Sequence, residues 1–153
     1  MNRIEILRDY IDEILVKNYN EARRGFYIHL YGVSQFCALI ALKRNQNAEL
    51  ATMAGMLHDI HTFKNLDSTE HAKKGAILAR EILTELGITT EEETDLICEA
   101  IQYHSKKKNT YSDFTEVLID ADVMEHHLYN IRLPLFEKDV ERLKKLKKEF
   151  NLN

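Results

Sequence analysis

The sequence predicts an all-α protein of about seven helices, and its composition and hydrophobic pattern both support this fold class. The chain of 153 residues contains one proline and five glycines, so few positions would interrupt a helix. Apolar residues recur at intervals of three and four along most of the chain, which is the spacing of amphipathic helices. Residues 114–120 ("FTEVLID") also fit a short strand, but the rest of the chain leaves no sheet for it to join.

The N-terminal part of the chain is predicted to form three helices. Residues 4–19 and 26–44 each carry apolar side chains on one face of a helix with 3.6 residues per turn. Asn47 is a suitable N-cap for a third helix over residues 48–60, because its side chain can accept a hydrogen bond from the first turn.

Two further helices are indicated by capping signals. Residues 67–70 ("DSTE") have the spacing of a capping box and predict a helix that runs to Leu86, where Gly87 supplies the stop. Residues 89–93 ("TTEEE") place acidic side chains near the positive end of the next helix dipole. That helix is predicted to run to about His104.

The C-terminal part of the chain is predicted to add two helices. The first covers residues 112–131, and the second is a charged helix over residues 133–150 that starts at Pro134. No stretch resembles a linker or an internal repeat, so we expect a single domain over residues 1–153.

Composition and charge argue against several classes of partner. The chain has 21 basic and 25 acidic residues and a net charge of −4, which does not favour nucleic acid or an anionic membrane. Cys37 and Cys98 have apolar neighbours and are expected to be core residues in a reducing compartment. With no signal-peptide core and no apolar run of about 20 residues, we expect a cytoplasmic protein.

Polar side chains recur on the predicted core-facing stripes. A single histidine in such a place is usually a hydrogen-bonded core residue, but four histidines and two aspartates from five helices would each need a buried partner. A shared cation would satisfy them together, and imidazoles and carboxylates suit Fe, Mn, Ni, Co or Zn. These candidate metal ligands are His29, His58, Asp59, His71, His104 and Asp122.

The adjacent pair His58 and Asp59 has a chemical consequence. Consecutive residues of a helix point about 100° apart, so the imidazole can bind one ion while the carboxylate turns towards a second. A carboxylate has two oxygens and can bridge two cations, which a histidine cannot do.

On these residues, the chain resembles the HD-domain superfamily of metal-dependent phosphohydrolases, which have an all-helical fold and an H…HD…D signature. The match consists of His29, then His58 and Asp59 within "AGMLHDI", then Asp122 within "DADVMEH". The stretches "EHAKKGAILAREIL" and "AIQYHS" agree in order and spacing. The resemblance covers a core of residues 20–130 and implies a compact HD-domain bundle.

The resemblance implies a metal centre. It assigns a first metal to His29, His58, Asp59 and Asp122, and it matches His71 and His104 to two further histidines of the dinuclear branches. Two divalent ions (Fe, Mn, Ni, Co, Zn or Mg) are therefore expected, bridged by Asp59, although simpler relatives use one. Asp120 and Asp122 lie about 200° apart on a helix, so only one can face the metals, and the family pattern favours Asp122.

The resemblance also implies the reaction. We expect hydrolysis of a phosphate ester or anhydride of a nucleotide or related phosphorylated metabolite by a metal-bound hydroxide, with Asp59 and His58 as the catalytic residues. One branch with a similar layout hydrolyses dinucleoside polyphosphates. Lys64, Arg23 and Arg24 are candidate phosphate contacts. The lysine run at 106–108 is either a further contact or a solvated loop.

Two other functions stay open at this level. Some HD proteins with the same four histidines and two aspartates hold a di-iron pair and oxidise carbon with O₂. A non-catalytic, metal-stabilised module that binds a nucleotide or a protein is the third class. The final helix could pack on the domain or mediate a homodimer.

Overall fold

The computed structural model describes residues 1–17 and 24–153, and these residues form helices and no strand, which confirms the all-α class. Seven α-helices have ten or more residues, and one shorter α-helix and one 3-10 turn (Glu137–Asp139) accompany them. The α-helices are α1 (Arg3–Lys17), α2 (Arg24–Lys43), α3 (Ala48–Leu57), α4 (Ile60–Asn65), α5 (His71–Leu86), α6 (Glu91–Tyr103), α7 (Asp113–Leu128) and α8 (Val140–Glu149).

Three predicted helix boundaries are confirmed by their capping groups. The side chain of Asn47 accepts a hydrogen bond of 3.0 Å from the backbone N–H of Leu50 at the start of α3. Gly87 ends α5 in a left-handed conformation with φ of 60°. At the start of α6, Thr90 and Glu93 form a reciprocal capping box.

The predicted capping box at residues 67–70 is wrong. Helix α5 begins at His71, and the carboxylate of Asp67 is used elsewhere. It accepts hydrogen bonds from the backbone N–H of Thr69 and from the ammonium group of Lys74, both at 2.8 Å. An Asx turn with an ion pair has therefore replaced the expected cap.

The helix predicted over residues 48–60 is interrupted. Helix α3 ends at Leu57, and Asp59 has φ of −114° and ψ of 14°, outside the helical range. The short helix α4 then continues to Asn65. This break matters for function, because it lets the side chain of Asp59 turn away from the face that a continuous helix would give it.

The helix predicted from Pro134 is also shorter than expected. Residues 129–136 are not helical, and α8 begins at Val140 after the 3-10 turn. Proline disfavours the helical conformation of the residue before it. In addition, the buried side chain of Asp139 pairs with the ammonium group of Lys107 and with the imidazole of His126, and it fixes the turn in front of α8. Residues 114–120 lie inside α7, so the strand alternative is wrong.

The interior is formed by α2, α3, α6 and α7, with α5 packed on α6 and with α1 and α8 on the outside. Helices α2 and α3 approach so closely that a Cβ atom on Gly55 would lie 2.6 Å from the Cα atom of Ser34. Only glycine permits this separation. The close approach brings His29 on α2 and His58 at the end of α3 together. The single-domain interpretation stays a prediction.

Helix α2 is, among the described residues, the one helix that is long and apolar enough to cross a membrane, although we expected no such segment. The helix packs against α3 and α7, and core helices of folded domains can have the same length and composition. A cytoplasmic location and the absence of a membrane partner stay predictions.

Candidate metal centre

The structure brings the six predicted ligands into one cluster. Helix α2 contributes one imidazole, and the ends of α3 and α6 and the start of α5 contribute three more. Helix α7 contributes a carboxylate, and the break between α3 and α4 contributes another. The residues that converge are His29, His58, Asp59, His71, His104 and Asp122.

The carboxylate of Asp59 lies at the centre of the cluster. Its Oδ2 atom is 3.3 Å from Nε2 of His29 and 3.5 Å from Nε2 of His58. Its Oδ1 atom is 3.4 Å from Nε2 of His104 and 3.8 Å from Nε2 of His71. Burial alone would raise the pKa of Asp59, but the surrounding imidazoles hold that pKa well below its ordinary value. The two oxygens of one carboxylate thus face two separate histidine pairs.

The two aspartates of α7 point in different directions. Asp122 Oδ1 lies 3.6 Å from Nε2 of His29 and 3.9 Å from Nε2 of His58. Asp120 instead accepts hydrogen bonds from Arg44 at 2.8 Å and from Arg142 at 3.0 Å. Of the two candidates, Asp122 is the one that faces the cluster.

Hydrogen bonds at the opposite ring nitrogen orient three of the imidazoles. Nδ1 of His58 donates to the carbonyl of Gly55 at 2.7 Å, and Nδ1 of His104 donates to the carbonyl of Ile101 at 2.6 Å. Nδ1 of His29 donates to the carboxylate of Glu125 at 2.7 Å. Each bond leaves Nε2 directed at the cluster, as a metal-binding imidazole requires.

Burial and neighbouring charges shift the pKa values of two adjacent imidazoles in opposite directions. Burial alone would lower the pKa of His29, but its contacts with the carboxylates of Asp59 and Glu125 raise the pKa to about 10. Burial lowers the pKa of His58 to about 4 despite the nearby Asp59. The two Nε2 atoms lie 3.0 Å apart, a separation that two ligands of one cation can have.

The donor set fits divalent metal ions. Asp59 Oδ1 is buried and accepts no hydrogen bond from the described residues, which is costly for a carboxylate without a cation. Metal–ligand bonds of about 2 Å place the ligands of one ion about 3–4 Å apart, as in this cluster. The ligand atoms of three groups lie within 4.8 Å of one another: His29, His58 and Asp59; Asp59, His71 and His104; and His29, Asp122 and His126.

The predicted substrate contacts are not brought to the cluster in the same way. Arg23 lies outside the described residues. Arg24 is exposed and lines a surface cavity with Val16, Tyr27 and Ile28. Lys64 is exposed and lines a cavity beside α1 that contains none of the cluster residues. The role of these basic side chains stays a prediction.

Sequence reasoning missed Lys107 and Asp139 at the site, and it also missed Glu125, which accepts from His29. The side chain of Lys107 is 1% exposed, although it lies in a lysine run that suggested a solvated loop. It donates to Asp139 at 3.0 Å and lies 2.7 Å from Asp122 Oδ2. Asp139 comes from a segment predicted to be an exposed, charged helix. Neither residue carries a periodic apolar context that could have revealed its burial.

Comparison with known proteins agrees with this geometry. A sequence model of the HD domain matches residues 26–148. Among solved structures, the chain is similar to a predicted HD superfamily hydrolase from an uncultured Thermotogales bacterium. The TM-score is 0.61 at 19% identity, with 94% of this chain and 88% of that chain covered, and this likeness shows the fold. No curated protein sequence matches the chain.

Proposed function

Because the chain belongs to the HD-domain family, a family of metal-dependent hydrolases, we propose that it cleaves a phosphate ester or anhydride. The proposed substrate is a nucleotide or a related phosphorylated metabolite, with dinucleoside polyphosphates as the most specific suggestion. The carboxylate of Asp59 carries this proposal, because its two oxygens face two separate histidine pairs.

We assign two ions to the cluster. One would be held by His29, His58 and Asp122, the other by His71 and His104, with Asp59 between them. A metal pair supplies an activated water near neutral pH and neutralises charge on phosphate oxygens. The ligand types suit Fe, Mn, Co, Ni or Zn better than Mg, which prefers oxygen ligands.

The solvent-accessible side of the cluster supports a phosphorylated substrate. His71 has the most exposed side chain of the six ligands, at 31%, and a cavity of about 280 Å³ adjoins it. Lys73 and Lys106 line this cavity, together with Gln102 and Ser105. Glu70 also lines the cavity, with its carboxylate 4.0 Å from the ammonium group of Lys73. The two ammonium groups outnumber this one carboxylate, which favours an anionic group such as a phosphate beside His71.

The proposal is tested by measuring metal content and phosphate release in parallel. The metal-loaded protein is assayed against nucleoside mono-, di- and triphosphates, dinucleoside polyphosphates and simple phosphomonoesters. Asp59→Asn should keep less than about one-tenth of the wild-type rate, because it removes the charge between the two histidine pairs. His127→Ala is the matched control, since His127 lies on α7 outside the three ligand groups.

The same assay separates the proposal from the two alternatives. Phosphate release that continues without oxygen supports the hydrolase, whereas an oxygen-dependent product with iron bound would favour the di-iron oxygenase. A folded, metal-loaded protein that turns over nothing in the panel contradicts the proposal and favours the binding module. An Asp59→Asn protein with more than a tenth of the wild-type rate would also contradict it.

A further inference from the structure

A histidine outside the predicted ligand set also points at the cluster. His126 follows Asp122 by one turn of α7, and its Nε2 atom lies 3.2 Å from Asp122 Oδ1. The ring stacks on His29 with centroids 5.5 Å apart and planes 15° from parallel. Nε2 of His29, Oδ1 of Asp122 and Nε2 of His126 all lie within 4.8 Å of one another.

A buried carboxylate orients this histidine. Asp139 Oδ2 accepts a hydrogen bond of 2.8 Å from Nδ1 of His126, which leaves Nε2 directed towards Asp122. The side chain of Asp139 is 2% exposed. The arrangement repeats that of His29, whose Nδ1 donates to Glu125. A carboxylate behind an imidazole fixes the ring and makes Nε2 a stronger metal ligand.

The ammonium group of Lys107 completes a closed ring of four side chains. It donates to Asp139 Oδ1 at 3.0 Å and lies 2.7 Å from Asp122 Oδ2. Because this lysine occupies Oδ2, only Oδ1 of Asp122 is directed at His29 and His126. Buried ion pairs are weak sources of stability. This ring of side chains instead holds Oδ1 of Asp122 and Nε2 of His126 at a separation of 3.2 Å.

We propose that His126 is a further metal ligand on the Asp122 side of the centre, and that Asp139 and Lys107 are positioning residues for it. Asp139 sets the orientation of the His126 ring, and Lys107 restricts Asp122 to binding through Oδ1. The proposal rests on the metal centre described above and extends it to three residues that lie outside the six predicted ligands.

The test is a Co²⁺ titration of the metal-free full-length protein, followed by visible absorption, which reports the ligands of the ion. His126→Ala should weaken the binding of one ion by about 100-fold and change its spectrum, while the second ion binds as in wild type. Asp139→Asn should weaken the same ion by about tenfold, because the ring remains but loses its anchor. His127→Ala, the neighbouring histidine, should behave as wild type.

The readouts separate a ligand role from a structural one. Far-UV circular dichroism checks that each variant is folded, and His126→Gln, of similar volume, replaces His126→Ala if the alanine variant is not. Wild-type Co²⁺ affinity and spectrum in a folded His126 variant would overturn the inference. The titration needs no substrate, so a failure of the proposed hydrolase activity leaves this test unaffected.

Discussion

Helix α7 carries two buried aspartates whose surroundings are opposite in kind. Asp120 faces the guanidinium groups of Arg44 and Arg142, which are permanently charged and donate directly to its oxygens. Asp122 faces the imidazoles of His29 and His58 at longer distances, with a lysine on one oxygen only. The first carboxylate is fully paired by protein groups, and the second leaves an oxygen for a metal ion.

Helix α7 therefore carries one aspartate that pairs with arginines, Asp120, and one that faces the candidate metal centre, Asp122. The arginine side consists of Arg44, Arg142 and Asp120, and its ion pairs continue to Glu149 and Glu116. Every charge on it has a partner of opposite sign within the protein. The histidine side instead consists of imidazoles around a carboxylate, and a metal ion can take the place of a proton on an imidazole nitrogen. If the two sides are independent, substitutions on one side should leave the properties of the other unchanged.

The largest expected effect is on the histidine side. Asp122→Asn keeps the shape of the side chain and removes the charge that faces His29 and His58. We expect the rate of phosphate release to fall by at least about 100-fold, with loss of one ion from the metal content. A variant with wild-type metal content and rate would show that Asp122 is not a ligand.

The corresponding change on the arginine side should have the opposite result. Asp120→Asn removes a carboxylate that accepts from Arg44 and Arg142, and we expect the free energy of unfolding to fall by about 2 kcal/mol. Metal content and metal affinity should stay at wild-type values. Urea unfolding and metal analysis of the same sample check both statements. Loss of metal in this variant would mean that the two sides are coupled.

The smallest expected effect concerns pH. The hydrogen bond from Arg44 lowers the pKa of Glu149 below its ordinary value of 4.5, so the pair stabilises the folded state above about pH 4.5. This contribution is lost as the pH falls through the lowered pKa. Glu149→Gln should therefore reduce the free energy of unfolding by about 1 kcal/mol at pH 7, with the difference from wild type shrinking in more acidic solution. A difference that does not change with pH would contradict the assignment.

The ligands could be predicted from the sequence because the buried residues of a helix recur at intervals of three and four. His29, His58, His71 and His104 lie on apolar stripes, and all four point into the cluster. The family resemblance favoured Asp122 over Asp120, but the arginine partners of Asp120, which are Arg44 after α2 and Arg142 in α8, are distant in sequence and could not be predicted.

Other features depended on tertiary contacts that no local pattern encodes. Lys107 is buried because two carboxylates face it, and Asp139 lies 32 positions further along the chain. The break at Asp59 follows a residue run that favours a continuous helix, and the surrounding contacts override that preference. The late start of α8 has the same cause, because the pairing of Asp139 holds the turn before Val140.

The order of the cluster residues along the chain has a consequence for biogenesis. The ligands run from His29 in the second helix to Asp122 in the seventh, and Asp139 follows just before the last helix. A ribosome must therefore synthesise the chain at least as far as Asp122 before one ion can meet its full complement of donors. Short metal-binding loops can capture an ion while the chain is emerging. Here the donors meet only when helices distant in sequence have packed together, so we expect metal acquisition to follow folding.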